Sequence, residues 1–88
     1  MKPIRRHREF EKNFRSRIAP NEKLVKKFRA HLWLFMKGIR DYPLNDHALI
    51  GTRKDLRAFS VGGDIRVIYR EQPDYYEFLD IGSHNQVY

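Results

Sequence analysis

The sequence predicts one α+β domain: two N-terminal helices packed on a curved antiparallel sheet, in the order β-α-α-β-β-β. Three observations predict it. Apolar residues recur at helical spacing through residues 8–40 and then alternate singly from about residue 55. A double glycine, Gly62-Gly63, separates two of the alternating runs, as in a β-hairpin. The chain has 88 residues with no linker, repeat or low-complexity tract, so one small domain with a thin core is expected.

Residues 3–7 read as a short edge strand, since Pro3 fits only at a strand start or edge. A helix follows over 8–18, where Phe10, Phe14 and Ile18 recur every four residues. Ala19-Pro20-Asn21 breaks it, and Asn21 is placed to cap a second helix whose first turn holds Glu22. That helix is expected over 22–40, with Leu24, Phe28, Leu32, Phe35, Met36 and Ile39 on one stripe. Trp33 and Leu34 widen the apolar surface, as core or as a docking surface.

Asp41 to Thr52 reads as a loop. Strands are expected at 55–61, 64–71 and 75–82, with a possible last short strand over 85–88. With Gly62-Gly63 as the turn, Val61 pairs with Asp64 and Phe59 with Arg66. Leu56, Ala58, Ser60, Ile65, Val67 and Tyr69 then face the helices. Arg57, Phe59, Val61, Asp64, Arg66, Ile68 and Arg70 face the other way, and a one-residue change in register would undo this sorting.

Charge is divided unevenly. Residues 1–40 hold 13 Lys/Arg against 3 Glu, a balance of +10; residues 41–88 hold 5 Lys/Arg against 8 Asp/Glu, a balance of −3. A basic helical half suits a nucleic-acid backbone or an acidic protein, and equally a solvated surface. There is no cysteine, which excludes disulfides and thiolate metal sites and fits a reducing cytoplasm. No signal peptide is visible, and the longest apolar run, Leu32 to Met36, is too short to span a bilayer, so no membrane partner is expected. The four histidines show no metal-site spacing, and neither a phosphate-binding loop nor a Gly-x-Ser-x-Gly motif is present, so no metal or cofactor is expected.

The side chains that remain suit a phosphodiester. Cleaving RNA needs a base for the 2′-OH, an acid for the leaving 5′-oxygen and a cation for the transition state. His84 and His47 can serve as acid or base, and Arg57 and Arg66 match phosphate oxygens. Asp64 lies beside them at the turn. Each has a structural alternative: arginines as edge charges, Asp64 as a turn residue, His84 as a turn cap, His47 as a loop polar group. His7 and His31 read as structural or surface residues. Tyr69, Tyr75, Tyr76 and Phe78 are either core or base-stacking residues. The residues alone reach only a basic α+β domain that binds RNA or protein.

Three segments carry a resemblance: Leu44-Asn45-Asp46-His47-Ala48-Leu49 with Gly51, the hairpin from Leu56 to Tyr69, and Asp80-Ile81-Gly82-Ser83-His84-Asn85-Gln86-Val87-Tyr88. Through them the chain resembles the RelE/ParE superfamily of bacterial toxins, most of all its YafQ-type branch. The resemblance implies a ribosome-dependent mRNA endonuclease that cuts A-site codons by 2′-OH attack without a metal. It implies neutralisation by a cognate antitoxin, with DNA contacted only through that complex. Carried over residue by residue, His84 falls on the principal catalytic histidine, a proton donor. Asp64 and His47 fall on further acid/base or positioning residues, and Arg66 on a phosphate-stabilising arginine. Tyr88 falls on a C-terminal aromatic position that stacks on or orients the substrate. At Ser60 the branch can carry a histidine, which shifts weight to His84, Asp64 and Arg66. A gyrase-poisoning toxin of the ParE kind and a non-catalytic RNA-binding module remain open beside this reading.

Overall fold

A computed structural model describes residues 2–53 and 55–88. Strand β1 (Ile4–Arg6) leads into helices α1 (Arg8–Arg17) and α2 (Glu22–Met36). A two-residue strand β2 (His47–Ala48) and a 3-10 turn (Gly51–Arg53) follow. Strands β3 (Arg57–Gly62), β4 (Ile65–Glu71) and β5 (Tyr76–Ser83) then run on into a short helix, α3 (His84–Val87). The five strands form one open sheet in the order β1-β5-β4-β3-β2. The expected α+β layering stands, but the sheet is mixed rather than antiparallel, because β1 runs parallel to β5. No helix among the described residues is long and apolar enough to cross a membrane.

Helix α1 begins where the His7 ring Nδ1 accepts the Glu9 N–H at 3.1 Å. Asn21 caps α2 as expected, its Oδ1 accepting from Lys23 and Leu24 at 3.0 and 3.3 Å. The end of α2 differs from expectation: it stops at Met36, not residue 40. Gly38 takes φ +89° just past the end. The Gly38 N–H then donates to the Phe35 carbonyl, and the Ile39 N–H to Leu34, each over about 3 Å. This glycine cap closes the last turn and frees Ile39 and Arg40 from the helix.

Both helices lie on one face of the sheet, α1 against β5 and α2 against β3. Between them and the strands sits an aromatic core of Phe10, Phe28, Phe35, Phe59, Tyr69, Tyr76 and Phe78. Phe35 is its centre, with the rings of Phe59, Tyr69, Tyr76 and Phe78 all within 5.6 Å of its own. The Arg40 guanidinium covers Phe35 from outside at 3.8 Å. Leu34 packs against this core, whereas Trp33 is left exposed.

The hairpin register departs from the expected one by a single residue. The pairs are Gly62 with Ile65, Ser60 with Arg66, Phe59 with Val67 and Arg57 with Tyr69. The turn is Gly63-Asp64, and Gly62 instead takes φ +107° where the ladder shifts between Ser60 and Gly62. The consequence is a reversal of β3 alone. Arg57, Phe59 and Val61 face the helices, with Phe59 and Val61 in the core. Leu56, Ala58 and Ser60 join Arg66, Ile68 and Arg70 on the open face. A smaller cluster of Leu56, Ala58, Ile68 and Val87 is buried there. Its cover is α3, where a strand was expected.

Candidate active site on the open face

The open-face site is built where β5 ends. Gly82 is buried opposite Arg66, and a Cβ there would meet the tips of Arg17 and Gln86 at 2.7 Å. The missing side chain lets α3 fold back against the strand. The Ser83 N–H donates to Gln86 Oε1 at 2.7 Å, closing the first turn of α3. The His84 N–H donates to the Asp64 carbonyl at 3.1 Å, which pins α3 to the β3–β4 turn. The His84 ring then stands edge-on to Tyr88, 4.5 Å between centroids.

Arg66 is half-buried beside this pair. Its guanidinium donates to the carbonyls of Gly63 and Ile65 at 3.1 and 3.2 Å, using one of its nitrogens. Burial raises the Tyr88 phenol pKa, while the charges of Arg66 and Arg53 pull against the rise. Both cations therefore lie near the ring. Arg53 carried no signal in the sequence. It ends the short 3-10 turn, and only the fold sends it to the Val87 carbonyl, at 2.9 Å.

His47 reaches this face through β2, where it pairs with Ala58. Its Nδ1 is 3.0 Å from the Asn45 carbonyl. With Ala48, Leu49, Ile50, Arg53 and Tyr88 it lines an open groove of about 470 Å³. His84, Tyr88, Arg66 and the Asp64 main chain thus meet at one end of the sheet, and His47 lines the same groove as Tyr88. Ser60 was expected to point away from Arg66; it is instead its cross-strand partner and shares its face.

Arg57 is not among them. It was expected on the charged face and lies on the helix side. There its Nε donates to Asp46 Oδ1 at 2.7 Å, and the Tyr69 hydroxyl donates to Asp46 Oδ2 at 2.5 Å. The Asp46 side chain is wholly buried. Burial lowers the Arg57 pKa, but the bond and charge of Asp46, aided by Tyr69, reverse this, so the net shift is upward. Burial pushes the Tyr69 phenol well above its ordinary value, and its bond to Asp46 adds to the rise. This trio ties the 41–46 loop to the sheet directly before His47. Among the described residues no group of three His, Asp or Glu is placed to hold a metal ion.

The family model of YafQ, a bacterial toxin of type II toxin-antitoxin systems, matches residues 2–88. The chain belongs to the YafQ family. Its fold agrees with solved structures over the full chain. YafQ from Escherichia coli strain BL21(DE3) superposes with a TM-score of 0.82 at 20% identity, covering 100% of this chain and 99% of that one. The E. coli DinJ-YafQ complex gives 0.81 at 21% identity with the same coverage. A copper-bound mutant toxin from Helicobacter pylori gives 0.79 at 24% identity and covers 100% of both chains. At these identities the likeness is one of fold. Among curated protein sequences nothing matches. Two facts thus stand together: a YafQ-family chain, and an open sheet face on which His84, Tyr88 and Arg66 converge.

Proposed function

We propose that this YafQ-family toxin is an mRNA endoribonuclease that cuts A-site codons on the ribosome and so blocks translation in the cytoplasm. The single observation that carries the reading is the convergence of His84, Tyr88 and Arg66 on the uncovered end of the sheet. In the reaction a base, Asp64 or His47, takes the proton from the 2′-OH. The freed oxygen attacks the adjacent phosphorus, and Arg66 stabilises the charge on the phosphorane-like transition state. His84 donates a proton to the departing 5′-oxygen, leaving a 2′,3′-cyclic phosphate and a 5′-hydroxyl. Tyr88 orients the substrate. No step requires a metal. Arg57 supports the site from behind, by holding Asp46 next to His47.

The test is cleavage of mRNA on programmed ribosomes with empty A sites. His84→Ala should slow cutting by about 10²–10⁴-fold. Full cutting by the variant removes His84 from the chemistry. No cutting by the wild type, together with gyrase inhibition, makes the protein a gyrase poison instead.

The DinJ-YafQ complex supports a cognate antitoxin as partner. The basic helical half and the exposed Trp33 suit an acidic, partly helical segment of that protein. DNA is met only through the pair. Co-purification with a small acidic neighbour protein checks this.

A further inference from the structure

The end of β5 is held as strand on one side only. β4 pairs with it as far as Ser83, but β1 covers only Tyr76 to Phe78 on the other side. Among the described residues no strand pairs with that edge past Phe78. Beyond it lies α3, whose four residues are too few to hold a helix by themselves. Yet this stretch must place the His84 ring.

The missing support comes from the helix layer. Arg17, in the last turn of α1, reaches the strand end. Its Nη1 donates to the Ile81 carbonyl at 3.0 Å and lies 3.4 Å from Asp80 Oδ1. The same carboxylate oxygen accepts from Asn13 Nδ2 at 2.7 Å and from the Ile81 N–H at 2.8 Å. Asn13 and Arg17 are four residues apart, so they stand on one face of α1 and act on one peptide unit. The hold continues into α3. A Cβ on Gly82 would stand 2.7 Å from Arg17 Nη1 and 2.7 Å from Gln86 Oε1, so the guanidinium and the amide close on the point that the glycine leaves empty. Gln86 Oε1 is the acceptor that closes the first turn of α3 on the Ser83 N–H. Arg15, two residues earlier, is exposed; Arg17 is turned to the sheet.

We propose that Arg17 is a positioning residue for His84. From the helix layer it fixes the end of β5 and the first turn of α3, and with them the angle at which the His84 ring meets Tyr88 and the reacting phosphodiester. It touches no substrate. The proposal rests on the endoribonuclease reading and adds to it a residue from the opposite layer of the fold. Misplacing a catalytic group slows the chemical step and leaves binding in place.

Two measurements on the full chain test this. In the first, wild type, Arg17→Ala, Asp80→Ala, the double variant and Arg15→Ala cut mRNA on programmed ribosomes of varied concentration. Arg17→Ala and Asp80→Ala should lower the saturating rate about 10- to 100-fold, with half-saturation moved less than about twofold. The double variant should be no slower than Arg17→Ala, because the two side chains form one clamp. Arg15→Ala removes the same charge from the same helix and should keep the saturating rate. In the second, His84 ring signals are followed in isotope-labelled protein, where the Tyr88 ring displaces them. They should move in Arg17→Ala and Asp80→Ala, while the methyl signals of Val61 and Val67 stay and report an intact core.

Weakened half-saturation at an unchanged saturating rate makes Arg17 an RNA contact and overturns the proposal. Rate losses that multiply in the double variant overturn it too, as do wild-type His84 signals in Arg17→Ala. Core methyl signals lost along with the rate make Arg17 a support of the whole fold and overturn its particular bearing on His84. A wild type that cuts no message overturns the endoribonuclease reading instead, and the His84 signals alone then decide whether Arg17 positions that ring.

Discussion

The two faces of the sheet are built from the same three strands and differ in almost everything else. The helix side buries seven interlocked aromatic residues under α1 and α2. The open side buries four small or aliphatic ones under a helix of four residues. The polar groups differ as well. On the helix side Asp46, Arg57 and Tyr69 satisfy one another within 2.7 Å. On the open side His84, His47 and Tyr88 stay exposed. The difference teaches a division of labour: packing on one face holds the backbone still, so the other can leave polar side chains at its surface.

Substitutions can break that division. Phe35→Ala removes the ring at the centre of the helix-side core and should cost about 3–5 kcal/mol, near the whole stability of a small domain. Thermal melting should show a partly or wholly unfolded protein. Leu56→Ala on the open face should cost less, about 2 kcal/mol, because the cluster is small and lies near solvent. Equal losses would mean that the two faces share the load.

Arg57→Ala should cost about 1–2 kcal/mol in a denaturant titration, since Asp46 keeps Tyr69 and water can enter where Arg57 is partly exposed. It should also lower activity through His47, although Arg57 is on the wrong face to touch substrate. Next comes a pH effect. The folded protein holds the Tyr69 proton above its ordinary pKa of 10.0, where the unfolded chain gives it up. The stability this contributes is whole below about pH 10 and is lost as pH rises beyond it. Melting midpoints should therefore fall above about pH 10 and fall less in Tyr69→Phe. His84→Ala should change stability least, within about 0.5 kcal/mol; a larger loss would make His84 part of the framework.

Much of the helix-side architecture was legible. The spacing of Phe10, Phe14 and Ile18, the Asn21 cap and the alternation of β4 are local patterns, and local physics decided them. The register of β3 was not local. Two adjacent glycines allow either Gly62-Gly63 or Gly63-Asp64 as the turn, and the choice flips every side chain of the preceding strand. Burial settles it, because Phe59 and Val61 gain the aromatic core only in the observed register. The last four residues are too few to show a period, so α3 could not be told from a strand. His84 was one acid/base candidate among several until family resemblance singled it out, and Tyr88 became visible only through that resemblance. Arg53 had no pattern to reveal it.

The parallel pairing of β1 with β5 bears on timing. Ile4 finds Tyr76, so the first strand of the chain waits for one of the last. The segment that completes the sheet, residues 76–83, runs straight into the helix that bears His84. A nascent chain shorter than about 76 residues therefore lacks both its first strand's partner and its proposed proton donor. Closure of the sheet's parallel edge and delivery of His84 to the open face therefore depend on one and the same stretch of chain.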